Sequence, residues 1–183
     1  MNYLLLCLFL IYAVPALSFQ TPAQKKSKGL HEPCNLLTSA EIASVLGEPV
    51  KDSKSSTQPG SGLLMSQCFF GMATSAKSVS VAVASANPAA NPKLTPREFW
   101  RKQFHSPSHK DTRAEAEGEG DLSKPRTIPG IGEEAYWVGN AISGALYVLQ
   151  GDTFLRVSVG GIRQEPERIE KSKALARAAI KRL

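Results

Sequence analysis

Apolar residues in this chain fall into three patterns: one unbroken run, several short helical stripes, and stretches that alternate with polar neighbours. The unbroken run, Tyr3-Leu4-Leu5-Leu6-Cys7-Leu8-Phe9-Leu10-Ile11-Tyr12-Ala13-Val14, carries no charge. It is shorter than the about 20 apolar residues that a spanning helix needs. Pro15 follows, and Ala16 and Ser18 place small side chains at −3 and −1 of a cut before Phe19. Residues 1–18 therefore read as a secretory signal peptide, although Met1-Asn2 ahead of the run holds no Lys or Arg. Residues 19–33 (FQTPAQKKSKGLHEP) have no apolar period and predict a flexible leader.

Helical spacing begins at Leu37-Thr38-x-x-Glu41-Ile42, where Thr38 and Glu41 match a capping box and Leu37 and Ile42 a hydrophobic staple. Val45 and Leu46 continue the stripe, and Gly47 followed by Pro49 stops it. The same grammar recurs at Leu94-Thr95-Pro96-Arg97-Glu98-Phe99, with Phe99, Trp100 and Phe104 as the inner face. A last helix is predicted over residues 166–183, with Ile169, Leu175, Ala176, Ala179, Ile180 and Leu183 as its apolar stripe. Glu165, Glu167 and Glu170 near its start and Lys181 and Arg182 at its end follow the helix dipole.

Strands are predicted at residues 63–72, 78–83 and 135–138, and at 145–150 and 153–159, which Gly151-Asp152 joins as a primed turn. Residues 53–62 are polar and read as a loop. Residues 105–125 (HSPSHKDTRAEAEGEGDLSKP) read as a polar, mobile insert. The elements predict an α+β domain over residues 34–183: one antiparallel sheet, helices on one face, and a C-terminal helix. The recurrence of Thr-x-x-Glu, and of Cys68-Phe69-Phe70-Gly71 as Ala135-Tyr136-Trp137-Val138-Gly139, allows an internal helix-plus-strands duplication.

The net charge of +6 belongs wholly to the chain after the signal, and it is dispersed. Lys25, Lys26 and Lys28 lie in the leader, Arg97, Arg101 and Lys102 on one helix, and Lys171, Lys173, Arg177, Lys181 and Arg182 on another. The basic residues are not interleaved with aromatics, which argues against nucleic acid. No membrane span is expected once the signal is removed, and a monomer is expected. Cysteine usage fits export: with Cys7 in the signal, Cys34 and Cys68 remain, an even pair. A metal pair or a reactive thiol is the rival reading, but neither cysteine has a His or Cys at zinc-like spacing, which favours a disulfide.

The series Cys34-x-Leu36-Leu37-Thr38-x-Ala40-Glu41-Ile42-x-x-Val45-Leu46-Gly47, the pair Cys68-Phe69, Gly130-Ile131-Gly132-Glu133-Glu134-Ala135-Tyr136 and Leu155-x-Val157-x-Val159 resembles a family of exported bacterial proteins and lipoproteins classed as a domain of unknown function. The resemblance spans residues 34–183. It implies an exported α+β domain with the two cysteines paired, and lends no activity. A lipid-bearing cysteine after the signal is missing here.

Strong catalytic motifs are lacking: there is no H-E-x-x-H, G-x-S-x-G, G-x-x-x-x-G-K-[ST] or C-x-x-C. Gly130-Ile131-Gly132-Glu133-Glu134-Ala135 fits G-x-G-x-x-A in form, but Pro129 precedes it, two glutamates would repel phosphate, and a strand follows, so it reads as a turn. His105 and His109 stand four apart, yet Pro107 between them forbids the helix that would align them on a metal. Glu115, Glu117, Glu119 and Asp121 lack the register of a calcium loop. Trp100, Tyr136 and Trp137 suit either a core or a ligand pocket. No cofactor and no metal is expected. The reading is a non-catalytic binding or interaction domain, secreted or periplasmic, whose partner is an unknown ligand or envelope component. The alternatives are a small secreted hydrolase, drawing on His105, His109 and the acidic residues 115–121, and a structural envelope protein.

Overall fold

Both capping boxes form. Glu41 N–H donates to Thr38 Oγ1 (3.2 Å) while Thr38 N–H donates to Glu41 Oε2 (2.8 Å), opening α1 (Ser39–Leu46), which ends at Gly47. Thr95 and Glu98 repeat these bonds at 3.1 and 2.9 Å to open α2 (Pro96–Phe104). The structure is a computed structural model describing residues 32–60, 62–90, 94–106 and 124–183. The proposed signal, leader residues 19–31, and residues 107–123 with His109, Glu115, Glu117, Glu119 and Asp121 lie outside the described residues.

Seven antiparallel strands make one sheet in the order β1-β2-β3-β7-β6-β5-β4. They are β1 (Val50–Gly60), β2 (Leu63–Met72), β3 (Ser78–Ala86), β4 (Arg126–Thr127), β5 (Glu134–Gly139), β6 (Gly144–Gln150) and β7 (Thr153–Gly160). The β6–β7 turn has Gly151 at φ +60° and no positive φ at Asp152, the sign pattern of a II′ turn. α3 (Glu165–Ala179) and a 3-10 turn (Ile180–Arg182) close the chain. The fold is α+β with an open antiparallel sheet and a C-terminal helix.

Alternation along the strands splits the core in two. Cys68, Phe70, Val79, Val81, Trp137, Leu146, Val148, Leu155 and Val157 face one side, where Ile42 and Leu46 of α1 and Leu175, Ala176 and Ala179 of α3 cover them. Leu63, Ala84, Leu149 and Phe154 face the other side, beneath Trp100 of α2. Helices on one face therefore describes α1 and α3; α2 packs on the opposite face. The physical reason is that Phe154, Tyr136, Tyr147 and Leu149 sit at strand positions of opposite parity to the main core and need cover of their own. The arrangement does not extend the local repeat into a duplication. A dyad normal to the sheet between β3 and β7 would exchange β2 with β6 and leave both helices on one face. Here the matching segments lie in β2 and β5, and the helices lie on opposite faces.

Within the predicted loop at residues 53–62, residues 53–60 are corrected to strand. β1 runs from Val50 to Gly60 and pairs with β2 from Val50↔Met72 to Gly60↔Leu63, yet all its residues after Val50 are exposed. Ladder hydrogen bonds to β2, rather than burial, hold this edge in place. α3 buries a wider stripe than predicted: Leu175, Ala176 and Ala179 are buried as expected, Ile169, Ile180 and Leu183 pack half-buried against the same core, and Arg168 and Ser172 join the buried side. Arg168 Nη1 donates to the carbonyls of Ile162 (2.8 Å), Arg163 (3.0 Å) and Ala141 (3.2 Å), and Nη2 donates to that of Asn140. One guanidinium thus fastens the loop after β5 and the segment after β7 to the helix. No helix among the described residues is long and apolar enough to cross a membrane.

The cysteine pair is a disulfide. Cys34 lies in a 3-10 turn (Pro33–Asn35), 5.0 Å Cα to Cα from Cys68 at the fully buried centre of β2. Such a bond is compatible with an oxidising compartment.

Candidate ligand face around α2

α2 is nine residues long and amphipathic, and it rests on the sheet through aromatic rings. Trp100 is buried, with its ring centre 4.4 Å from Phe104, 5.8 Å from Tyr136 and 5.9 Å from Phe154. Phe104 stacks on Tyr136 at 4.7 Å, and Phe99 stacks on Phe154 at 5.6 Å. A helix this short spans only part of a seven-stranded sheet, so openings remain on its flanks.

On one flank, Arg97, Trp100, Arg101, Lys102, His105, Ser106, Glu134 and Leu149 line a cleft of about 390 Å³. Its centre is Glu134, the first residue of β5, whose Oε2 accepts the Trp100 indole N–H at 3.0 Å and lies 2.7 Å from His105 Nε2. The indole bond first, and then His105, holds the Glu134 carboxyl below its ordinary range. His105 caps the C-terminal end of α2, its N–H donating to Arg101 O. It therefore belongs to the folded domain and not to the insert. With the carboxylate accepting, Nε2 carries the ring proton.

An ion pair between Arg97 and Glu133 braces the same flank. Arg97 Nη2 donates to Glu133 Oε2 (2.8 Å) and to Gly151 O, while Glu133 Oε1 accepts the Gly151 N–H at 2.7 Å. Arg97 first, then that N–H, lowers the Glu133 carboxyl, and Glu133 in return raises Arg97. Glu133 sits in the turn that G-x-G-x-x-A forms, with Gly132 at φ +59°. A Cβ on Gly132 would lie 2.5 Å from Leu149 O, so glycine is required there by both conformation and space. Arg101 and Lys102 form no ion pair among the described residues, which leaves the cleft with an excess of positive charge.

On the other flank of α2 lies an apolar groove of about 300 Å³, bordered by Phe99 and Phe104 and closed at one side by Arg156.

Of the residues singled out from sequence, the fold brings Trp100, Tyr136 and His105 together. Trp137 goes to the opposite face, fully buried, with its indole N–H donating to Glu165 Oε1 at 2.7 Å. Glu134 stood in the G-x-G-x-x-A segment, which reads from sequence as a turn, and Arg156 carried no motif; the remaining signal was parity, since Glu134 shares its strand face with Tyr136, and Arg156 with Phe154, on the α2 side. Among the described residues, no group of three or more His, Cys, Asp or Glu could hold a metal ion. Comparison with protein-family models, curated proteins and solved structures finds no match to this chain.

Proposed function

We propose that this chain is an exported, non-catalytic binding domain whose ligand face is the sheet surface flanking α2. One observation carries the reading: α2 leaves two openings on its own face, and both present cationic side chains beside aromatic rings. The main core on the opposite face lies beneath α1 and α3, and the opening of about 310 Å³ between Leu46 of α1 and Lys171 of α3 has no aromatic ring in its lining. Cationic groups beside aromatic walls suit small organic anions, with charge giving orientation and the rings giving contact area. Export is supported by the apolar run at residues 3–14 and by the disulfide.

A screen of small organic anions by amide chemical-shift perturbation tests this. Saturable shifts clustering on α2, β5, β6 and β7 are expected, and Arg101→Gln with Lys102→Gln should weaken ligands that bind in the cleft. Ligands that map only to the α1/α3 face, or a screen without any saturable ligand, would overturn the reading.

The His105–Glu134 pair favours one second reading, a secreted hydrolase with His105 as general base. Turnover of activated esters, lost in His105→Ala and retained in Arg101→Gln, would select it.

A further inference from the structure

We infer that the apolar groove beside α2 is a binding site for a carboxylate with a linear apolar body, of medium-chain alkanoate type. The inference deepens the proposed binding role and rests on it for the choice of face. The groove's walls are mainly Leu63, Met65, Phe99, Phe104, Tyr147 and Phe154, with Gly60 and the Gln103 amide also lining it, so its surface is predominantly apolar. Arg156 on β7 stands directly across from Tyr147 on β6 and from Ala82 on β3. Tyr147 and Arg156 from this row line the groove together with Phe99 and Phe104 of α2.

Arg156 gives the groove a charged end. Arg156 is a half-buried residue whose guanidinium carries a positive charge. Its partner is neutral: Nε donates to Tyr147 Oη at 3.2 Å, and the guanidinium carbon lies 5.9 Å from the centre of the Tyr147 ring. It has no carboxylate partner among the described residues. A half-buried cation lined by hydrocarbon and held by a phenol through Nε keeps both terminal nitrogens for another acceptor. A carboxylate matches that fork with two parallel charge-assisted hydrogen bonds. The body attached to it must be apolar, because the walls offer hydrocarbon and ring faces. It must also be compact, because about 300 Å³ is at the small end of ligand cavities.

Decanoate below its micellar concentration, titrated into the protein by calorimetry and followed by amide shifts, tests the inference. Saturable binding with shifts at residues 63–65, 99–104 and 154–156 is expected. Arg156→Gln should weaken it about tenfold or more, the usual scale for losing a charge-assisted pair, with its melting temperature recorded alongside. Tyr147→Phe keeps the wall and removes the hydroxyl that positions the guanidinium, and should weaken binding several-fold. Decanol supplies the same chain without the charge and should bind about tenfold more weakly to the unaltered protein, so this arm stands even if Arg156→Gln fails to fold. Absence of decanoate binding, equal affinity in a folded Arg156→Gln, or equal affinity of decanol would each overturn the inference. If decanoate fails while the anion screen still places ligands around α2, the alkanoate site falls and the binding domain stands; if both fail, both fall.

Discussion

Replacing Cys34 and Cys68 by alanine tests how the N-terminal turn is held to the sheet. The bridge closes a loop of 34 residues in sequence separation, for which the chain-entropy relation gives about 3.8 kcal/mol at 25 °C. Cys68 is also fully buried in β2, between Ser55 of β1 and Val81 of β3. Truncating its sulfur adds about 1 kcal/mol for lost contacts and a small cavity. The double variant should thus lose about 5 kcal/mol, a large part of an ordinary domain's stability, and melt about 10–20 °C lower. Urea denaturation of a chain starting at Phe19, which omits Cys7, separates the two parts. Reducing the unaltered protein should remove only the loop contribution. It should also steepen the denaturant slope, because the unfolded chain expands when the loop opens. A loss below about 1.5 kcal/mol in the double variant, with an unchanged slope, would refute the reasoning: the loop would then not be constraining the unfolded state.

Three further outcomes are expected. Leu175→Ala, at a fully buried position of α3, should cost about 3–5 kcal/mol in urea denaturation, whereas Ile180→Ala, half-buried in the last turn, should cost about 1–2 kcal/mol; equal costs would contradict the helix register. Arg168→Met should cost about 3 kcal/mol or more by leaving four carbonyls without their donor, and should speed amide exchange in residues 140–143 and 161–164 first. Glu41 receives bonds from Arg182 and then from the Thr38 N–H, which lower its carboxyl from 4.5 to about 2. Its contribution is therefore complete above about pH 4.5 and is lost as pH falls toward 2. The decline in stability across that window should be shallower in Glu41→Gln, and an unchanged pH profile would remove the Arg182–Glu41 bridge from the account.

The starts of α1 and α2 were legible because a capping box closes within four residues and needs nothing from the rest of the chain. The strand at 78–83 was legible for a similar reason, since alternation reports burial directly. β1 was not, because a polar edge strand buries nothing: its signal lies in β2, whose N–H and C=O groups it pairs. The full width of α3's buried stripe was not legible for a related reason. Arg168 and Ser172 count as polar in a sequence pattern, but the guanidinium of one donates to four backbone carbonyls and the other is small enough to bury without bulk. At the candidate face, Trp100 and His105 could be picked out as residue types with chemistry. Glu134 could not, since its role depends on β5 lying under the end of α2.

By itself the sequence determined what acts locally: where helices begin and stop, which side of most strands is apolar, and that two cysteines remain to pair. The tertiary structure alone decided the partners. It placed α2 on the face opposite α1 and α3, sent Trp137 and Trp100 to different cores, and set Glu134 between an indole and an imidazole. It also left Arg156 at the end of an apolar groove with only a phenol to hold it. The physical reason is the range of the forces that decide each. Capping bonds and the pleat act over a few residues and are written in the segment itself. Burial is satisfied by any complementary surface, and only the folded chain shows which surface that is.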